Sequence, residues 1–250
     1  DCSKVIQESK NKYVSYNEIL LEPNDDYYKL QLYISLIRHK GINKKNYSRW
    51  AEDLFLINYF KKIDKGSYID IGAFHPFRSS NTYLLYKKGW RGINIDLNKK
   101  SIDLFKIARP KDINLNLAIL DKDKKVQVYK KKDLGIMNTT NLNFASLFLK
   151  DFNTENIRAY NFNHILKKFK PKKIKFELID IDAEGSEYLI LKKLNFKKYS
   201  FKVILVETHK IDSHTKKYSK KIHQLLKSKN YKYIKNLGET AIFENKKWKN

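Results

Sequence analysis

A single cysteine, Cys2, is the whole thiol inventory of this 250-residue chain, so no intrachain disulfide can form. That usage points to a reducing, cytoplasmic setting. Arginine is scarce as well: of 52 basic residues six are Arg (Arg38, Arg49, Arg78, Arg91, Arg109 and Arg158). The net charge of +25 is therefore carried by lysine spread along the chain. A dedicated nucleic-acid surface uses clustered arginine for bidentate contacts, so no specific nucleic-acid partner is expected. A solvated lysine-rich surface, with electrostatic attraction to an anionic membrane surface or an acidic glycan, accounts for the excess. Long apolar runs are also missing. The longest stretch without charge, Leu134 to Leu149, is broken by Asn, Thr and Ser, whereas a membrane-spanning helix needs about 20 mostly apolar residues. The first residues show no signal-peptide pattern. No Pro/Gly/Ser-rich linker and no internal repeat divides the chain.

What is present is a core-forming chain, 42% hydrophobic and 14% aromatic, which excludes general disorder. Residues 1–48 read as a polar, Tyr-rich extension with one helix around Tyr27–Arg38. Residues 49–250 read as the main domain. Trp50, Leu54 and Ile57 recur at i, i+4, i+7, predicting an amphipathic helix packed on a core. Strands and helices then alternate. Strands are predicted at Ser67–Ile71, Arg91–Asp96, Asp112–Ile119, Phe176–Ile181 and Phe201–Glu207. Helices are predicted at Asn81–Lys88, Ser101–Ala108 and Ser186–Leu194, and one through Tyr218, Ile222, Leu225 and Leu226. Val126–Tyr129 and Ile157–Phe162 read as an inserted β-rich region at about 121–163. Tyr231–Ile234 and Thr240–Phe243 read as a closing antiparallel pair. Such alternation gives an α/β fold, a mostly parallel sheet with helices on both faces. Ligands of such sheets sit beyond the carboxyl ends of the strands.

Those ends carry the informative residues. At the first, Asp70 precedes Gly72, where a glycine lets backbone approach a ligand and an acid accepts hydrogen bonds. At the second, Asp96 is placed to accept both hydroxyls of a ribose. Gly72 is followed by Ala-Phe-His-Pro-Phe, so the G-x-G-x-x-G loop is absent, as is any P-loop. One glycine without a pyrophosphate cradle suits a ligand with a ribose and no phosphates, for which S-adenosylmethionine is the common case. Ser80, Asn81 and Thr82 can cap the following helix, and their amides can hold a carboxylate.

The segments Tyr68–Pro76, Ser80–Tyr83, Gly89–Asp96, Arg109–Ala118, Ile179–Glu187 and Val203–Glu207 together resemble the FkbM-type methyltransferases, in family order. The resemblance implies a Rossmann-like class I methyltransferase fold with a seven-stranded sheet, S-adenosylmethionine as cofactor and S-adenosylhomocysteine as product. It also implies O-methylation of a sugar hydroxyl in surface-glycan or secondary-metabolite biosynthesis. By position it places Asp70, Gly72 and Ala73 at the methionine end, Asp96 on the ribose and Asn116 to Ala118 at the adenine. Asp182, Glu184 and Gly185 fall beside the reacting centre. Asp96 stands where many members have Glu, Ala183 replaces a usual valine, and Asp180 is an additional acid.

Methyl transfer needs the acceptor oxygen about 3–3.5 Å from the methyl carbon, in line with the leaving sulfur, and a hydroxyl acceptor is helped by a general base. Asp182 and Glu184 are the first candidates, though Glu184 also reads as a helix N-terminal acid. His209 reads as a base or as a solvent-facing loop residue, and His75 as a ligand contact or a loop-shaping residue. Asp180, Asp182, Glu184 and Glu187 form an acidic group that can bind Mg²⁺, with Glu187 expected to be exposed. No Cys/His grouping suggests zinc. Two rival classes are a nucleic-acid-associated methyltransferase, motivated by the charge, and a non-catalytic module of the same fold. The N/D-P-P-Y/F loop of base-amino methyltransferases is absent, and the joint presence of Asp70, Gly72, Asp96 and Asp182 speaks against the second.

Overall fold

The computed structural model describes residues 25–41, 44–131, 137–149, 151–170, 175–208 and 213–248. The chain divides into two compact units, Asp1–Gly41 and Ile42–Asn250. In the first, helix α1 (Asp25–Lys40) ends in Arg38, His39 and Lys40, cations that complement the negative end of the helix dipole. Gly41 stops it at φ +61°. No described helix is long and apolar enough to cross a membrane.

The second unit is built on a seven-stranded sheet. Its strands are β1 (Ser67–Ile71), β2 (Arg91–Asp96), β3 (Ile113–Asn116), β7 (Lys175–Ile181), β8 (Ser200–Glu207), β9 (Tyr231–Leu237) and β10 (Thr240–Asn245). They lie in the order β3-β2-β1-β7-β8-β10-β9. The first five are parallel, while β10 runs antiparallel to both β8 and β9. This is the mostly parallel seven-stranded arrangement that was expected, with its antiparallel closing pair. Alternate strand residues serve opposite faces. Ile69, Ile71, Ile179 and Ile181 share a core with α6 (Phe162–Phe169), α7 (Glu187–Lys193) and α8 (Ser213–Ser228). Tyr68 and Leu178 look the other way, into a core with Leu56 and Phe60 at α2 (Glu52–Tyr59) and Leu85 of α3 (Tyr83–Lys87). Beyond β2, α4 (Lys99–Ala108) starts on Asn98, whose side chain accepts from the amides of Lys100 and Ser101.

A second, three-stranded sheet holds β4 (Ala118–Leu120), β6 (Asn153–Asn161) and β5 (Lys124–Lys130) in the order β4-β6-β5. The strand predicted over 112–119 therefore divides between two sheets. Asn116 stands at the break: its side-chain Nδ2 donates to the carbonyls of Asp96 at 3.0 Å and Leu97 at 2.8 Å. Two further helices, α5 (Leu142–Phe148) and α6, were not predicted; each starts on an asparagine, Asn141 or Asn161, that accepts from amides of the first turn.

The predicted helix near Trp50 forms with another face inward. Trp50 is 44% exposed and Leu54 42%, while Glu52, Asp53 and Leu56 are buried. The acids tolerate burial because they are satisfied. Asp53 accepts from the Tyr47 amide at 2.6 Å and the Ser48 hydroxyl at 2.7 Å, and Glu52 from the Trp50 amide at 2.7 Å and the Thr240 hydroxyl at 2.9 Å.

Candidate active site

At the end of β1 the chain takes a conformation reserved for glycine. Gly72 has φ +82°, and a Cβ there would lie 1.6 Å from the Asp182 carbonyl oxygen. The amides of Gly72 and Ala73 donate to the Ile95 carbonyl at 2.9 and 3.1 Å, and that of Asp182 to Ile71 at 2.8 Å. The ends of β2, β1 and β7 are thereby laced into one ledge. Phe74 follows at φ +53°, an unusual region for an aromatic. Its amide donates to Asp96 Oδ2 at 2.8 Å, while Asp96 Oδ1 accepts from the Asn98 amide at 2.7 Å. Burial, with a smaller contribution from the neighbouring Asp70, raises the Asp96 pKa to about 6, against these two amides, which lower it.

Asp70 points away from this ledge. It is buried, accepts from the Thr82 hydroxyl at 2.7 Å, and is pushed up by desolvation, with Thr82 and Arg109 opposing. Arg109 is wholly buried and was not among the predicted site residues. It donates to Thr82 at 2.8 Å, to Ser80 at 2.7 Å and to the Pro76 carbonyl at 2.5 Å. Its guanidinium lies 4.9 Å from the Phe105 ring centroid and 5.3 Å from that of Tyr83. The available signal was its rarity: an arginine in so lysine-rich a chain marks a place needing a planar, multi-donor cation. His75 is also buried, its Nδ1 accepting from the amides of Phe77 and Arg78 at 3.0 Å each. In the structure it shapes this loop. Ser80 and Thr82 belong to the Arg109 network; neither caps α3 through its side chain.

Beyond β7 the loop 182–186 is held open. Glu184 (φ +48°) and Gly185 (φ +97°) are both left-handed. Glu187 was expected on the surface but is 3% exposed, because its carboxylate folds back to accept from the amides of Ala183 at 2.9 Å and Gly185 at 3.0 Å. Asp180 is likewise buried, accepting from Asn81 Nδ2 at 2.8 Å. Neither joins the acidic group predicted for a cation. Glu207, from the end of β8, joins it instead: carboxylate oxygens of Asp182, Glu184 and Glu207 lie within 4.8 Å of one another. Proximity in the sheet brings Glu207 there, since β8 is β7's neighbour. His209 lies outside the described residues.

A cleft of about 590 Å³ runs along these strand ends, within the range of small-molecule sites. Gly72, Asn81, Asp96, Ala118, Asp182 and Glu184 line it. Asp70, Ala73, His75, Ser80, Thr82 and Asn116 do not, and support its walls from behind or beside. Leu97, Leu117 and Ile119 make one end apolar; Arg49, Trp50, Glu239 and Thr240 stand on the β8–β10 side. Six carboxylates (Glu52, Asp96, Asp182, Glu184, Glu207 and Glu239) face two arginines, Arg49 and Arg78, and no lysine lines the described walls. In a chain of net charge +25, this concavity is locally acidic.

A family model described as the Methyltransferase FkbM domain matches residues 70–233. Among solved structures, the chain is similar to a TehB-like SAM-dependent methyltransferase from Corynebacterium glutamicum at 12% identity and TM-score 0.41, covering 89% of this chain and 100% of that one. It is similar to an O-methyltransferase from Bacillus cereus in complex with SAH at 10% identity and TM-score 0.46, covering 92% and 96%. A putative O-methyltransferase from Klebsiella pneumoniae gives 9% identity and TM-score 0.41, covering 90% and 92%. No curated protein matches the chain.

Proposed function

The chain belongs to the FkbM methyltransferase domain family and is an S-adenosylmethionine-dependent methyltransferase; from that premise we propose that it methylates a hydroxyl oxygen of a sugar, in the making of a surface glycan or a secondary metabolite. The observation that carries the acceptor class is the convergence of Asp182, Glu184 and Glu207 within 4.8 Å, in a cleft whose described walls hold no lysine. Carboxylates in that number disfavour phosphorylated or carboxylated acceptors and offer hydrogen-bond acceptors to neutral hydroxyls.

The donor set fits the cofactor: a diol-accepting carboxylate, an apolar end for a flat base, and acids for a cationic centre. When bound, S-adenosylmethionine supplies a methyl group already activated on a sulfonium. Asp96 keeps one lone pair on each oxygen after its two amide bonds, and these accept the ribose hydroxyls. Leu97, Leu117, Ala118 and Ile119 flank the adenine, with Asn116 at the strand break beside them. Gly72 gives the methionine portion room against the ledge, and Asn81 stands beside it. Asp182 and Glu184 would hold the acceptor oxygen in line with the sulfonium methyl, and one of them would take the hydroxyl proton as the carbon–oxygen bond replaces the carbon–sulfur bond and S-adenosylhomocysteine leaves.

Calorimetric titration with S-adenosylhomocysteine, with NADH as control, tests the cofactor site, and methyl transfer to a panel of methyl hexopyranosides tests the acceptor. Micromolar binding of the first compound alone, with transfer to a sugar, is expected. Binding without transfer to any neutral polyol would overturn the acceptor class.

A further inference from the structure

Asn138 lines the cleft from the segment between β5 and α5, and it is 9% exposed. Its Oδ1 is buried and finds no hydrogen-bond partner among the described residues. A buried carbonyl oxygen left unpaired is costly, and native structures satisfy nearly all of them. Such an atom on a ligand cleft marks a place where a bound molecule supplies the missing donor.

The residues that follow Asn138 are anchored by hydrogen bonds. Thr139 exchanges two backbone hydrogen bonds with Tyr129, at 2.8 and 3.1 Å. Its hydroxyl donates to the Glu184 carbonyl at 2.7 Å and accepts from the Asn141 amide at 2.9 Å. Asn141 Nδ2 donates to the Gly185 carbonyl at 3.1 Å. Asn138 is thus tied through its neighbours to the loop bearing Asp182 and Glu184, and among the described residues no hydrogen bond given for its neighbours leads to Asp96.

We infer that Asn138 orients the acceptor: its Oδ1 accepts a hydrogen bond from a second hydroxyl of a polyhydroxylated substrate, next to the hydroxyl that the carboxylates Asp182 and Glu184 engage. This rests on the proposed reading of the cleft and sharpens it, because it selects vicinal diols over simple alcohols and sets which hydroxyl is methylated. A lone hydroxyl satisfies the base and leaves Asn138 unpaired; a vicinal pair satisfies both.

The test compares wild type with Asn138→Leu and Asn138→Ala. The readouts are S-adenosylhomocysteine affinity, thermal stability, and methyl transfer to methyl hexopyranosides and their monodeoxy analogues. Expected are a cofactor-product affinity unchanged within about twofold and a Tm for Asn138→Leu equal to or above wild type, since an unpaired buried acceptor is removed. Also expected is a loss of about tenfold or more in kcat/KM on the parent sugars, shrinking on the analogue that lacks the adjacent hydroxyl. An affinity for S-adenosylhomocysteine that falls more than fivefold in both variants would assign Asn138 to the cofactor and overturn the inference. So would unchanged kcat/KM, or a wild-type enzyme that binds the cofactor product yet methylates none of these polyols. Failure of wild type to bind S-adenosylhomocysteine at all is a separate outcome that sinks the reading of the cleft itself.

Discussion

One hydroxyl joins Arg109 to Asp70: Thr82 Oγ1 accepts from the guanidinium at 2.8 Å and donates to the carboxylate at 2.7 Å. Both charges are buried, so each makes the other's burial tolerable. The same guanidinium holds Ser80 and the Pro76 carbonyl, which places the whole loop after Gly72. Arg109→Ala leaves Asp70 without its counter-charge and is expected to cost about 3–5 kcal/mol, a fall in Tm on the order of ten degrees. Arg109→Lys restores the charge without the fork and is expected to recover only part of that loss. Thermal unfolding of the two variants beside wild type decides it; equal Tm values would show that the network contributes nothing.

Gly72 is expected to tolerate no side chain. A Cβ at φ +82° costs about 1–2 kcal/mol through the backbone alone, and the Asp182 carbonyl 1.6 Å away must also retreat. Gly72→Ala should therefore lower Tm and weaken S-adenosylhomocysteine binding together, since the displaced loop carries Asp182. Wild-type affinity in a destabilised variant would separate the ledge from the ligand site.

Much of the fold could be read before any coordinates. Strands β1 and β2 form over the residues expected, Ser67–Ile71 and Arg91–Asp96, because each is a short apolar run punctuated by glycine or acid. The third strand looked continuous because Leu115, Leu117 and Ile119 alternate as one strand; the break falls at Asn116, whose side chain makes two hydrogen bonds to a different strand end. Helices α5 and α6 escaped notice because they span seven and eight residues, too short for a helical period to stand out. In the cleft, local motifs located Gly72, Asp96, Asp182 and Glu184, but not Glu207 as a member of the acidic group or Arg109 as the buried cation. Both roles arise from pairing and packing between segments distant in sequence. Trp50 and Leu54 mislead for a related reason: Glu52 and Asp53 have dedicated donors in the turn before the helix and the hairpin beyond β9, so polar residues take the inward face.

In the proposed reaction one of the carboxylates at the end of β7 removes the proton from a hydroxyl acceptor. Asp182→Asn and Glu184→Gln keep shape and remove basicity, so the variant that eliminates the base should lose about 10²–10⁴-fold in kcat. S-adenosylhomocysteine affinity, measured on the same preparations, should change little for Glu184→Gln, whose backbone is held by the Thr139 hydroxyl at its carbonyl. Full activity in both single variants would move the base to another group in the cleft.

Asp96, proposed to hold the ribose, is expected to make cofactor binding sensitive to pH in a definite direction. Burial raises its pKa to about 6 in the folded protein, from an ordinary value of 3.8. The folded state therefore binds more protons than the unfolded chain between those values, and its stability declines as pH rises through that window. Ribose hydroxyls donate to the ionised carboxylate and favour that form, so ligand affinity should move the opposite way. S-adenosylhomocysteine should bind progressively tighter from pH 5 to pH 7 and level off above the folded pKa of about 6, with proton release on binding in the lower part of the range. Asp96→Ala should abolish binding without unfolding the domain. Asp96→Asn, which cannot ionise, should bind weakly and flatten the dependence. Calorimetry in two buffers of different ionisation enthalpy reads both the affinity and the released proton. A wild-type affinity constant across this range, or unchanged affinity in Asp96→Ala, would mean that the ribose is held elsewhere.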